Sequence, residues 1–139
     1  MSADVIFGFD YGTHHIGIAV GQRITRTATP LMILPAKQGI PNWQSLAELV
    51  ETWTPERFVV GLPLNMDASG SEMSARAEKF ARRLTGRFNR PSEMIDERLS
   101  SIEAKALSTQ HRVDDIAAVL ILETWFSHQG EPLTPKGYA

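Results

Sequence analysis

The chain has 139 residues, a formal net charge of -2 and no cysteine. This length predicts one domain, residues 1–139, whose core needs no disulfides, and the missing thiols exclude cysteine nucleophiles and thiolate metal sites. The N-terminal segment lacks the features of a signal peptide, and no apolar run reaches the roughly 18 residues of a membrane span. We therefore expect a cytoplasmic protein outside the membrane.

Three strands are predicted in the first part of the chain. Apolar runs at 5–10 and 16–20 are separated by a glycine-containing turn, which predicts a hairpin. A third strand is expected over 27–34, where Pro30 indicates an edge position or a bulge because proline has no N–H for the ladder. The three strands form an antiparallel meander in this prediction.

Helices and strands alternate after the meander. The predicted order is a helix capped by Asn42 and ended by Pro55, a strand over 58–61, a helix over 71–85, a strand ending at 96–97, a short helix begun by the capping-box pair Ser100 and Glu103, and a helix over 114–127. This order predicts an α/β fold with a mixed five-stranded sheet, the meander followed by parallel strands, and helices on both faces. The last residues, from about 130, are expected to form a loose tail.

Acidic residues stand at the ends of three predicted elements. Asp10 ends the first strand, Asp96 and Glu97 end the last strand, and Asp114 and Asp115 begin the last helix. Strand side chains alternate, so only one of Asp96 and Glu97 can share a face with the site. Carboxylates gathered at the strand ends of an α/β sheet need a cation or hydrogen bonds. Mg²⁺ prefers such oxygen ligands and binds phosphates beside them, so the pattern indicates metal-assisted cleavage of a phosphodiester.

Each acidic residue also has a purely structural explanation. Asp114 or Asp115 would serve as a helix N-cap, and the 96–97 pair would form an ion pair with Arg98. Asp10 is the strongest candidate for a site, because an aspartate in the register of a buried strand needs partners. The three segments together favour a site.

Basic residues concentrate on and just after the second predicted helix. Arg76, Arg83 and Arg87 are spaced to form one stripe, and guanidinium groups bind phosphates with two hydrogen bonds. The stripe is a candidate nucleic-acid surface, with a solvated helix face as the alternative. Asn65 lies in a Gly- and Pro-containing loop that would approach the cleaved bond or serve only as a turn.

Four segments together resemble the YqgF (RuvX) family of RNase H-like proteins. They are FDYGTHHIGIAVG, VGLPLNMD, DERLSS and VDDIAAVLILE, in that order, and the resemblance covers residues 5–126. FDYGT alone is also similar to the phosphate-binding start of actin-like ATPases, which bind nucleotide between two such domains. The resemblance implies an RNase H-like fold and a nuclease that matures the 5′ end of pre-16S ribosomal RNA or, alternatively, resolves Holliday junctions.

The resemblance also implies which residues are catalytic. Asp10, Glu97 and Asp114 match the family's acidic residues motif by motif, and Asp115 is a further candidate ligand. They would hold one or two Mg²⁺ or Mn²⁺ ions, and a pair of ions about 3.5 to 4 Å apart would activate water and stabilise the leaving oxygen. No protein nucleophile is required.

Two features differ from the family pattern. His14 and His15 follow the first motif where relatives usually carry basic residues, so a phosphate contact there would be weaker and more dependent on pH. The stretch 107–113 is shorter than in the longer relatives, whose insertion is basic and rich in glycine. The candidate nucleic-acid contacts are Thr13, His14, Asn65, Arg76, Arg83, Arg87, Arg98 and Arg112.

The sequence leaves alternatives for the substrate and for the oligomeric state. RNA is favoured by the resemblance and not by any base-stacking motif, while a four-way DNA junction calls for a symmetric dimer. A non-catalytic nucleic-acid-binding or ribosome-associated module would bind without metal. We expect a monomer or weak homodimer.

Overall fold

The computed structural model describes residues 4–63, 70–96 and 113–129, and the side chains of 113–115 and 129 are not part of that description. The strands in these residues are β1 (Val5–Asp10), β2 (His15–Gln22), β3 (Thr27–Lys37), β4 (Ile40–Pro41), β5 (Arg57–Leu62) and β6 (Ser92–Asp96). The helices are α1 (Trp43–Trp53), α2 (Glu72–Phe88) and α3 (Val113–Gln129). No helix in the described ranges is long and apolar enough to cross a membrane.

One sheet joins an antiparallel half to a parallel half, with its strands in the order β4-β3-β2-β1-β5-β6. β2 pairs antiparallel with both β1 and β3, which confirms the predicted meander. β5 pairs parallel with both β1 and β6. All five predicted strands are present. The sheet has one strand more than predicted, β4, which follows the turn at Gly39. It has only two residues and is too short to show a periodic pattern.

β3 contains the bulge that Pro30 predicted. Ile18 pairs with Met32 and Ala19 pairs with Pro30, so Leu31 is an extra residue in the ladder between β2 and β3. The bulge places proline where the regular pairing is interrupted. β3 then continues beyond the predicted strand, and its end pairs with β4.

Side-chain hydrogen bonds cap the N-termini of α1 and α2, near the residues where these helices were predicted to begin. Asn42 Oδ1 accepts hydrogen bonds from the backbone N–H groups of Gln44 and Ser45, at 3.0 and 3.2 Å. Ser71 Oγ accepts from Ser74 N at 3.1 Å, and Ser71 N donates to Ser74 Oγ at 2.6 Å. These bonds satisfy N–H groups that no helical carbonyl reaches, so the basic helix α2 starts at a defined residue.

Helices cover both faces of the sheet because β1 alternates its side chains. Phe7 and Phe9 belong to a core shared with α1 and α2, in which Leu46 and Phe80 are buried. Ile6 belongs to a second core with α3, whose buried members include Ala118, Ile121, Leu122, Trp125 and Phe126. The sheet therefore has an α2 face and an α3 face.

Gly8 lets α3 lie close to β1. A Cβ added to Gly8 would lie 2.5 Å from Leu122 Cγ, so the helix crosses the strand where the strand has no side chain. One turn later, Trp125 Nε1 donates to Glu93 Oε1 at 2.9 Å, near the start of β6. α3 therefore runs from the edge where β1 ends toward the edge where β6 begins, and its N-terminus lies at the Asp10 edge of the sheet.

Candidate functional site

Three parallel strands end at one edge of the sheet. β1 ends at Asp10, β5 at Leu62 and β6 at Asp96. Phe9 pairs with Val60, so Asp10 is level with Gly61 on the neighbouring strand β5. The next residue of β5, Leu62, pairs with Asp96 of β6. Neighbouring strands lie about 4.8 Å apart, so the ends of β1 and β6 are about 10 Å apart. This edge is where open α/β sheets bind their ligands.

Asp10 and Asp96 belong to opposite faces at this edge. Alternation from Gly8 assigns Asp10 to the α3 face, and Ile95 packs against the core beneath α3. Asp96 is the next residue, so alternation assigns it to the α2 face. Both carboxylates are partly buried, and both have interaction partners. Asp96 is thus the member of the 96–97 pair that does not share the face of Asp10.

The N-terminus of α3 lies on the same face as Asp10. Asp114 precedes Leu122 by two helical turns, about 12 Å along the axis, in the direction of the edge where β1 ends. The backbone of the first turn of α3 and the carboxylate of Asp10 therefore approach one corner of the molecule. A helix N-terminus favours negative charge at that corner, through its exposed N–H groups and its dipole.

The described part of the site fits a small divalent cation. Asp10 supplies a partly buried carboxylate. Gly61, the next position on the neighbouring strand β5, carries no side chain on the same face. Such a donor suits an ion that prefers oxygen and keeps several waters. Glu97 lies outside the described residues, as do the side chains of Asp114 and Asp115. The described side chains alone contain no group of three or more acidic or histidine residues that could hold a metal.

A pocket of about 320 Å³ opens on the α2 face near the same edge. Three aromatic and three basic side chains contribute to its lining, together with the turn between β3 and β4. They are Tyr11, Trp43 and Phe80, and Arg76, Lys79 and Arg83. Tyr11 directly follows Asp10 in the chain, so the pocket and the candidate metal site lie on opposite faces of one strand end.

Tyr11 joins the pocket wall to the turn before β4. Its hydroxyl donates to the carbonyl of Gly39 at 2.9 Å, and its ring centroid lies 5.0 Å from that of Phe80. Gly39 has φ +82°, and an added Cβ there would lie 2.0 Å from the Tyr11 hydroxyl, so conformation and space both require glycine. Burial raises the pKa of Tyr11 above 10.0, and the guanidinium groups of Arg76 and Arg83 oppose that shift. Tyr11 is therefore neutral at physiological pH and available as a donor.

The predicted arginine stripe forms one continuous surface. Arg76 forms an ion pair with Glu72 at 3.3 Å, and Arg87 lies over the ring of Trp43, with Cζ 4.2 Å from the ring centroid. Lys79 and Arg83 form no ion pair with an acidic side chain within the described ranges.

Thr13 and His14 extend this surface toward the strand end. Arg76 lines shallow depressions together with each of them, and Thr13 Oγ1 lies 3.2 Å from His14 Nδ1. Five of the predicted nucleic-acid contacts therefore lie on one surface. The other three, Asn65, Arg98 and Arg112, fall outside the described residues.

Sequence reasoning missed the walls of the pocket. Tyr11 enters the sequence prediction only as part of the FDYGT motif, and no pattern in the sequence assigns Trp43, Gln38, Gly39 or Ile40 to a site. These residues come from separate segments that only the fold of the meander brings to α2. A signal was available in the aromatic residue directly after Asp10 and in Lys79, which lies one helical turn from Arg76 and from Arg83.

Tyr11→Phe is expected to lower the free energy of unfolding by about 1 kcal/mol at neutral pH, because the hydrogen bond to Gly39 is lost. The pKa of Tyr11 is raised in the folded state. Its hydroxyl therefore makes its full contribution to the free energy of unfolding below pH 10.0, and that contribution falls as the pH rises further. The difference in the free energy of unfolding between the wild type and Tyr11→Phe should therefore become smaller above that pH. Urea unfolding below and above pH 10.0 measures this difference, and a difference that grows with pH would contradict the role given to the Tyr11 hydroxyl.

Comparisons with known proteins agree with the predicted fold. Residues 4–128 match the model of a family described as RuvX, Holliday junction resolvase. A protein of Actinobacillus pleuropneumoniae serotype 5b, named "Putative pre-16S rRNA nuclease", is 50% identical over 91% of this chain and 99% of its own length. One of the same name from Saccharophagus degradans is 48% identical over 97% and 100%.

Solved structures are similar at much lower identity. T. thermophilus RuvC in complex with Holliday junction substrate aligns with a TM-score of 0.59 at 14% identity, covering 91% of this chain and 96% of RuvC. The Fowlpox virus resolvase in complex with Holliday junction DNA aligns with a TM-score of 0.53 at 13% identity, covering 91% and 99%. Similarity at this level shows the fold, and the RNase H-like fold predicted from the motifs is confirmed.

Proposed function

This chain belongs to the RuvX family, and we propose that it is a divalent-metal-dependent endonuclease that processes the 5′ end of pre-16S ribosomal RNA. The observation that carries the proposal is the position of Asp10 at the shared end of the parallel strands, on the face where α3 begins. The relatives named for this activity are about half identical to the chain over nearly its whole length. A cytoplasmic location and association with the ribosome are part of the proposal.

The proposed metal ligands are Asp10, Glu97 and Asp114, with Asp115 as a further candidate. They would hold one or two Mg²⁺ or Mn²⁺ ions, which when bound activate the attacking water and stabilise the leaving oxygen of an in-line displacement. The sheet keeps Asp10 in place, because β1 is paired on both sides. The start of α3 favours negative charge beside it. Because alternation assigns Asp96 to the α2 face, the proposed ligand after β6 is Glu97, the next residue in the sequence.

The basic surface of α2 is the proposed grip on the phosphate backbone. Arg83→Ala should weaken binding of an RNA that has both duplex and single-stranded parts, and lower the slope of log Kd against log salt by about one, since one phosphate contact is lost. Arg82→Ala is the matched control, because Arg82 neighbours Arg83 but lines a different depression, with Glu78 and Ser92. Titrations at several salt concentrations in EDTA measure both variants. An equal change in both slopes would contradict a specific grip.

The second candidate function is resolution of four-way DNA junctions. The description of the family and the junction-bound structural neighbours favour it. Two coordinated cuts would require two copies of the site, so this function predicts a dimer on the junction. A monomer or weak homodimer is proposed for the RNA function. Binding that needs no metal, with no cleavage of either substrate, would leave the non-catalytic module.

A further inference from the structure

The pocket on the α2 face combines charge with a rigid apolar wall. The Trp43 ring stacks with Phe80, at 5.9 Å between centroids and an angle of 25°, and carries Arg87 over its surface. Phe80 is 3% exposed and is also in contact with Phe9 in the core. The Trp43 and Phe80 rings are therefore held in place before a ligand binds, which lowers the entropic cost of binding.

The two ends of the pocket differ in chemistry. Lys79 and Arg83 are exposed cations on one helical face of α2, where they provide five or more N–H donors for an anion. The part of the lining that comes from the turn before β4 includes Ile40, an apolar side chain that leaves 50% of its surface exposed. A ligand that fills the pocket thus has an anionic end and a flat or apolar end.

The size of the pocket limits the ligand further. Its volume of about 320 Å³ lies at the lower end of the range of small-molecule sites, about 300 to 1,000 Å³. That volume suits a single nucleotide unit. A base inside a duplex is stacked and paired and cannot enter such a concavity, whereas an unpaired base enters at little cost.

We infer that this pocket binds one unpaired nucleotide of the nucleic-acid substrate, with its phosphate on Lys79 and Arg83 and its base against Ile40 and the aromatic wall. The inference rests on the proposed function for the identity of the ligand. It adds a preference to that function: the substrate carries a single-stranded segment next to the cleaved bond. Tyr11 connects the two sites, because it lines the pocket and is joined by one peptide bond to Asp10.

Polar side chains line the surface between the two sites. A strand that leaves the pocket passes Arg76, Thr13 and His14 before it reaches the edge where β1 ends. The strand then turns around that edge to the face of Asp10. The single-stranded segment would therefore be held on the α2 face while the bond to be cut lies on the α3 face.

The test compares three RNA probes in EDTA, so that no cleavage occurs and binding is measured apart from nuclease activity. The probes are a blunt RNA duplex, the same duplex with a short single-stranded extension, and that extended duplex with abasic nucleotides in the extension. Fluorescence anisotropy gives the Kd of each for the wild type, Lys79→Ala, Ile40→Ala and the control Arg82→Ala.

If the pocket binds an unpaired nucleotide, the Kd values should follow a specific pattern. The extension should tighten wild-type binding about ten-fold, which corresponds to about 1.4 kcal/mol. Lys79→Ala should remove most of that gain, and Ile40→Ala should make the natural and abasic extensions bind alike. Arg82→Ala should keep the full gain. No gain from the extension, or an equal loss in Lys79→Ala and Arg82→Ala, would overturn the inference. Loss of cleavage in an Asp10 variant tests the nuclease separately.

Discussion

Asp10→Asn is expected to reduce metal-dependent RNA cleavage by about a thousand-fold or more, because one negative ligand is removed from the cation and roughly 4 kcal/mol of transition-state stabilisation is lost. Asparagine keeps the shape of the side chain, so the fold should remain. Single-turnover cleavage of labelled RNA with saturating Mg²⁺ measures the loss. Urea unfolding in the absence of metal checks that stability is kept.

Asp96→Asn is the matched control for this variant. The two aspartates both end parallel strands at the same edge of the sheet, and alternation assigns them to opposite faces. Cleavage by Asp96→Asn should stay within a few-fold of the wild type. If both variants lost activity equally, a general electrostatic effect at the edge would explain the result, and persistent activity in Asp10→Asn would remove Asp10 from the mechanism.

Gly8→Ala is expected to lower the free energy of unfolding by about 2 kcal/mol, because the new methyl group overpacks the contact between β1 and α3. The nearest atom, Leu122 Cγ, would lie 2.5 Å from the added Cβ and belongs to a fully buried side chain. The helix must shift to relieve the overlap. Since α3 carries Asp114, the variant should also need more Mg²⁺ for half-maximal cleavage.

Gly86→Ala is the control with the opposite expected sign. Gly86 lies inside α2, and apart from its chain neighbours and the adjacent helix backbone no atom of the described residues comes within 4 Å of an added Cβ. Alanine should stabilise the protein by about 0.5 to 1 kcal/mol through its higher helix propensity. Urea unfolding compares the two variants directly. A Gly8→Ala protein as stable as the wild type would contradict the close approach of α3 to β1.

Most strands and helices were predictable because short-range patterns in the sequence mark where they begin and end. Apolar runs, the glycine turn before β2 and the helix caps are all local, and Asn42 and Pro30 had the roles that their chemistry predicts. Alternation predicted only that one of Asp96 and Glu97 shares a face with the site, and the register of β6 then assigns Asp96 to the α2 face. The two-residue β4 could not be predicted, because it is formed by a long-range pairing with β3 and not by a pattern of its own.

The candidate site was predictable to a different extent on the two faces. On the α3 face, Asp10 ends β1 and Asp114 lies in the first turn of α3, so the ends of predicted elements already indicated where these two segments would approach. On the α2 face, the pocket depends on the distance between Gly39 and Tyr11 and on the way Phe80 supports Trp43. Such contacts between distant segments leave no periodic signal in the sequence.

The central claim is tested most directly by cleavage of two labelled substrates in one reaction, an RNA that spans the 5′ precursor of 16S ribosomal RNA and a four-way DNA junction. The reactions contain Mg²⁺, Mn²⁺ or chelator, with wild type and Asp10→Asn side by side. The proposed function predicts cleavage of the RNA with either metal, none with chelator, none by the variant, and little cleavage of the junction. Preferential cleavage of the junction, or metal-independent binding without cleavage of either substrate, would contradict it.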